Sequence, residues 1–207
     1  MPKPPTNREI IRQGLWEANP VIRHVLGICS TLAITNLMIN TLVMDAGLIF
    51  TLSLSCLTVS LLRKYTPMRI RMMVQTLIIA SYVIIVDVVI KAYLPSISDN
   101  LGPYVGLIIT NCIVMGRCEA FARHNPPWPS FLDGLAMSLG YSLVLITIAL
   151  VREPLGFGTI LGWRIMPEGF TPWTIMIMAP GAFFTLGLLA WLVRGLYPQT
   201  EEGKKQA

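Results

Sequence analysis

Charge is scarce in this chain. Only 13% of the 207 residues are Asp, Glu, Lys or Arg, about half of the roughly 25% usual in a soluble domain. That deficit runs along the whole length and excludes a soluble enzyme, a disordered tail and a nucleic-acid binder. Histidine is limited to two residues, and there is no HExxH pair, Walker loop, Rossmann glycine run or Ser–His–Asp arrangement. No nucleotide or flavin site and no catalytic residue is readable. The four cysteines include no CxxC, so neither a thioredoxin-like dithiol nor a zinc ribbon has support.

What is abundant is apolar sequence: 54% hydrophobic residues and a mean hydropathy of +0.62. Six apolar blocks follow a charged, Pro-rich start: 21–37, 41–62, 72–94, 104–115, 131–151 and 173–193. The second, third, fifth and sixth are about 20 residues each, enough to cross roughly 30 Å of hydrocarbon. The first and fourth are short. The expected fold is an all-α integral membrane protein with six transmembrane helices. Residues 1–20 form an N-terminal segment without a cleavable signal, 21–194 the membrane domain, and 195–207 a polar tail.

With the N-terminus in the cytoplasm, thirteen of the sixteen basic residues fall inside; only Lys91, Arg152 and Arg164 fall outside. The positive-inside rule therefore places both termini in the cytoplasm. The run RKYTPMRIR is the strongest anchor, and Arg152–Pro172 is the longest outer loop.

Both short blocks open alike. Pro20 precedes Cys29, and Pro103 precedes Cys112, by nine residues. Each block begins a set of three, about 20–94 and 103–194, so the second set enters from the opposite face. This is the pattern of an inverted repeat whose first and fourth helices are broken or half-length at the midplane. Nine residues of helix rise roughly 13.5 Å, which brings both cysteines to about the bilayer centre. Cysteines in membrane helices also serve as small apolar residues, and the pattern alone leaves both roles open. An iron–sulfur cluster needs four thiolates, so Cys29 and Cys112 would need two more from another chain. Cys56 has no counterpart in the repeat. Cys118 lies about 9 Å of helix beyond Cys112; both read as structural.

Asp87 and Lys91 share a helix face and are either a structural ion pair or part of an ion path. Ser130 and Asp133 read as a capping box opening the fifth helix. Arg117, Glu119, Arg123 and His124 form a cytoplasmic anchor or docking edge, and His24 a structural residue near the interface. Gly134, Gly140, Gly181 and Gly187 permit close helix contact.

The stretches VLGICSTLAITN and VGLIITNCIVMGRCEAFA, with RIRMMVQTLIIASYVIIVDVVIKAYL and PSFLDGLAMSLGY, resemble the membrane subunits shared by sodium-translocating NADH:quinone reductases and Rnf complexes. The likeness runs from about Asn19 to Pro198. RIRMMVQ and VGLIITNCIVMGR are more like the quinone-reductase branch, in its D-type member. KAYLP and APGAFFTLG look equally like the E-type member of the Rnf ferredoxin:NAD oxidoreductase, the alternative membership.

The resemblance implies a bacterial inner-membrane subunit paired with a homologous six-helix subunit of opposite topology, beside flavin- and iron–sulfur-carrying subunits. It implies that Cys29 and Cys112 are ligands of a shared [2Fe–2S] centre that relays electrons across the bilayer, coupled to Na⁺ movement. Gly27–Ser30 and Asn111–Ile113 are candidate sources of backbone N–H bonds to its sulfurs. NADH oxidation falls to other chains. Two readings from other classes compete: a small inverted-repeat secondary transporter, and a scaffold with structural cysteines.

Overall fold

The computed structural model describes residues 26–67, 69–93, 102, 104–160, 163–164 and 173–196. The N-terminal segment with Pro20 and His24, Pro103 and most of the C-terminal tail lie outside the described residues.

The described chain is helical: α1 Ile28–Ile34, α2 Met38–Leu62, α3 Arg71–Tyr93, α4 Cys112–Arg117, a single π-helical turn Cys118–Ala122, α5 Pro127–Gly156, α6 Thr174–Ile177 and α7 Ala179–Leu196. The one departure is a two-residue antiparallel hairpin, β1 Thr159–Ile160 with β2 Trp163–Arg164. Residues 104–109 are also helical, ahead of a break at Thr110–Asn111.

Four stretches are long and apolar enough to cross a membrane: Met38–Leu62, Arg71–Tyr93, Tyr104–Ala122 and Pro127–Gly156; Ala179–Val193 is a shorter apolar helix. This makes the chain a multi-pass membrane protein. The fourth block, expected to be short, reaches span length because helix resumes after Asn111 and continues to Ala122. The sixth block, expected to be continuous, is interrupted at Met178 between α6 and α7.

α2 and α5 make the most extensive helix contact and form the centre of the molecule. Gly134 makes it possible: a Cβ there would stand 3.2 Å from the Leu52 carbonyl oxygen and from Ser53 Cα. Gly181 likewise admits the backbone of Ile175 and Met176, whereas Gly187 faces open space. α3 packs on α2 and leaves Met73, Leu77, Ile84 and Val88 exposed. A stripe of that kind suits lipid or another apolar protein surface rather than water.

Polar side chains lie inside. Without water, a hydroxyl can be satisfied by the carbonyl one turn earlier in its own helix. Thr35 donates to Thr31 O, Ser53 to Ile49 O, Thr58 to Leu54 O and Ser130 to Pro126 O. The expected capping box is therefore absent. Ser130 sits inside α5, which starts with proline at its first position, and Asp133 pairs with Arg117. Arg117, Glu119 and Arg123 are less solvated than expected, because Glu119 binds Arg71, Arg123 and Gln75.

Arg152 is also displaced from its expected place in the outer loop. α5 continues to Gly156, so Arg152 is helical and buried. Its guanidinium donates to the carbonyls of Met176, Ile177 and Met178 and to Thr35 Oγ1. The neighbouring Glu153 accepts the Met38 N–H at 2.9 Å, capping the start of α2.

Candidate functional site

Cys29 and Cys112 occupy equivalent local positions. Each lies in the first turn of a short helix that follows a break in the chain. Before Cys29 the break is Gly27, at φ +80°; before Cys112 it is Thr110–Asn111, with Asn111 extended. The sequence pattern put each cysteine at the end of a half-helix begun at a proline. The structure instead starts a helical segment at each cysteine.

Two contacts join the motifs. The Asn111 side-chain amide donates to Ser30 Oγ at 3.2 Å. A Cβ on Gly27 would lie 2.7 Å from Ile113 Cδ1 and 2.9 Å from Tyr141 Cε2. Gly27 is thus required twice: by its left-handed backbone and by the absence of room for a methyl group. Asn111 is itself fixed, because its Oδ1 accepts the Ile113 N–H at 3.0 Å. That bond occupies the Ile113 amide, one of the donors expected to serve a cofactor. The first-turn amides of α1 have no acceptor within the helix.

Tyr141 of α5 stands below the junction. Its hydroxyl donates to Gly27 O at 3.0 Å and is hydrogen-bonded to Ser30. Ser30 and Thr31 also donate to Gly27 O, at 3.2 and 2.9 Å. Eleven residues further on, three turns along the same face of α5, Arg152 binds Thr35 and thereby the other end of α1. Sequence inspection missed both clamps, although a tyrosine and an arginine at helical spacing in an apolar block were visible.

Ser30, Thr31 and Asn111 are buried, yet Cys29 and Cys112 are exposed. A buried polar frame thus presents two thiols outward. Two thiols are half of the donors that an iron–sulfur cluster needs, so the residues fit such a group when a second chain supplies the remainder. The other two cysteines are buried, with Sγ atoms 3.9 Å apart between α2 and the π-turn, consistent with structural packing. Asp87 and Lys91 form an ion pair at 2.6 Å on α3. Among the described residues, no group of three or more His, Cys, Asp and Glu side chains is placed to hold a metal ion.

Comparison with known proteins agrees with this picture. A family model described as "Rnf-Nqr subunit, membrane protein" matches residues 7–190. The chain is 47% identical over 190 residues to the D-type member of the Na⁺-translocating NADH-quinone reductase of Chlamydia trachomatis serovar L2, covering 87% of this chain and 89% of that protein. Its identity to the same protein from Chlamydia pneumoniae is 46% over 189 residues (86% and 89%). For Chlamydia abortus it is 45% over 197 residues (90% and 92%). With the match spanning both cysteine motifs and the helices that frame them, the chain belongs to the Rnf-Nqr family of membrane subunits.

Proposed function

We propose that this chain is a membrane subunit of a Na⁺-translocating NADH:quinone reductase and contributes Cys29 and Cys112 to an intramembrane iron–sulfur centre. Membership of that enzyme follows from the named relatives, all of the quinone-reductase branch among those compared. The observation that carries the cofactor reading is the direct joining of the two motifs through Ser30–Asn111 and Gly27–Ile113, with both thiols left at the surface.

The remaining two thiolates come from a homologous six-helix subunit of opposite topology, seated on the face bearing Cys29 and Cys112. The two matched breaks, Gly27 and Asn111, are the midplane breaks of an inverted repeat. Both termini lie in the cytoplasm, and the protein resides in the bacterial inner membrane.

A bound [2Fe–2S] group supplies one-electron transfer at a depth that divides the bilayer into shorter steps. The protein's part is rigidity and exclusion of water. Tyr141, Ser30, Thr31 and Asn111 fix the segments that present the thiols. α2 and α5 supply the apolar wall behind them. Electrons enter and leave through flavin and iron–sulfur carriers on neighbouring subunits.

The test is EPR and iron content of the assembled complex. Cys29→Ala and Cys112→Ala are each expected to abolish one iron–sulfur signal, while Cys56→Ala and Cys118→Ala retain it. Persistence of every signal in both Cys29→Ala and Cys112→Ala overturns the cofactor reading. A wild-type complex with neither iron nor colour at this centre points instead to a transporter or scaffold.

A further inference from the structure

Five acidic residues fall among the described residues, and four have partners. Asp87 pairs with Lys91, Asp133 with Arg117, and Glu119 with Arg71 and Arg123; Glu153 accepts the Met38 amide. Asp45 is the exception. It lies two turns into α2, is 3% exposed, and neither carboxylate oxygen has a hydrogen-bond partner.

An unpaired carboxylate is among the most costly groups to bury, and within a membrane span it marks function more often than packing. Around it, hydroxyls are bonded into their own helices. Thr41, one turn earlier on the same face, donates to Ile34 O and Leu37 O. Ser142 of α5 lies beside the carboxylate without meeting hydrogen-bond geometry. Further along α2, the hydroxyl oxygens of Thr51 and Ser55 are also buried without partners. This stretch of α2 therefore presents oxygen atoms whose electron pairs are unmatched.

The charged groups on the elements packed against α2 are engaged elsewhere. On α3 these are Asp87 and Lys91, and on α5 Asp133, Arg152 and Glu153. Arg117 of α4 and Glu119 of the π-turn complete the set. The titratable neighbour within electrostatic reach of Asp45 is Tyr141, whose hydroxyl holds Gly27 and Ser30 beside Cys29.

We propose that Asp45 is a binding site for one small monovalent cation, held by its unpaired carboxylate at the α2–α5 contact. The shared chemistry is compensation of one negative charge by oxygen coordination or by protonation, so the ion is Na⁺ or H⁺. Through Tyr141, that charge stands one residue from the frame that holds Cys29. The proposal does not depend on the iron–sulfur reading, because its readout is a carboxyl group.

The test is infrared difference spectroscopy of the assembled complex in two arms: NaCl against choline chloride at fixed pH, and a pH change without Na⁺. A carboxyl band that appears in the Na⁺ arm of wild type and is lost in Asp45→Asn assigns Na⁺. A band confined to the pH arm, lost in the same variant, assigns H⁺. Asp45→Glu, which keeps the charge, is expected to retain the band at a shifted frequency. Identical spectra for wild type and Asp45→Asn in both arms overturn the proposal. If Asp45→Asn fails to assemble, an unshifted band in Asp45→Glu overturns it equally. Cys29→Ala is expected to leave the band in place, which separates failure here from failure of the cofactor reading.

Discussion

Gly27 carries two constraints that no other residue type meets together. Its φ of +80° lies in the left-handed region, costing an L-residue about 1–3 kcal/mol where the surroundings impose it. The space its Cβ would need is taken by Ile113 and Tyr141. Gly27→Ala should therefore destabilise the protein by more than the backbone term alone, since Ile113 must move and Asn111 with it. Tyr141→Phe is the subtler probe, because it keeps the ring and removes only the hydroxyl. It leaves Gly27 O with the Ser30 and Thr31 bonds and should cost about 1–2 kcal/mol. Thermal unfolding of the complex in detergent should rank the variants Gly27→Ala below Tyr141→Phe below wild type. A wild-type-like Gly27→Ala would show that the junction is not tightly packed.

At the scale of elements, α5 is the organiser. Tyr141 holds the beginning of α1, Arg152 holds its end together with the carbonyls of α6, and Glu153 caps α2. Replacing Arg152 with Met keeps a long apolar stem but strands several buried acceptors, each worth about 1–3 kcal/mol when left unpaired. Arg152→Lys offers one compact donor group in place of the planar fork and should recover only part of the loss. Limited proteolysis is expected to cut near α6 faster in Arg152→Met than in wild type, with Arg152→Lys between them.

The same residues show where sequence reading succeeds and where it stops. Apolar run length located the helices, because a membrane imposes it on every span. The offsets of Cys29 and Cys112 singled out the two breaks, although the cysteines begin helices rather than end them. Arg152 and Asp133 were misassigned because a charge beside an apolar block looks like a loop or a cap. Whether it turns inward depends on acceptors far away in sequence: Met176 for the one, Arg117 as partner for the other. Asp45 escaped notice for a related reason. An acid within an apolar run is visible, but its lack of a partner exists only in three dimensions.

Across the whole molecule, the distribution of cysteine exposure divides the surface into what is finished and what awaits another chain. Cys56 and Cys118 are sealed inside, whereas Cys29 and Cys112 are exposed although the residues beside them, Ser30 and Asn111, are fully buried. Such a reversal over one residue means that the polar frame belongs to this chain's interior and the thiols belong to an interface. Accessibility to a thiol reagent should then depend on assembly. In the isolated chain, a membrane-permeant maleimide is expected to label Cys29 and Cys112 and to spare Cys56 and Cys118 until the protein is unfolded. In the assembled complex, labelling of Cys29 and Cys112 should fall by at least about tenfold, the effect of roughly 1.4 kcal/mol of protection. Peptide mass mapping distinguishes the four sites directly. Equal labelling of Cys29 and Cys112 before and after assembly would mean that the partner seats elsewhere, and that the exposed thiols face lipid instead.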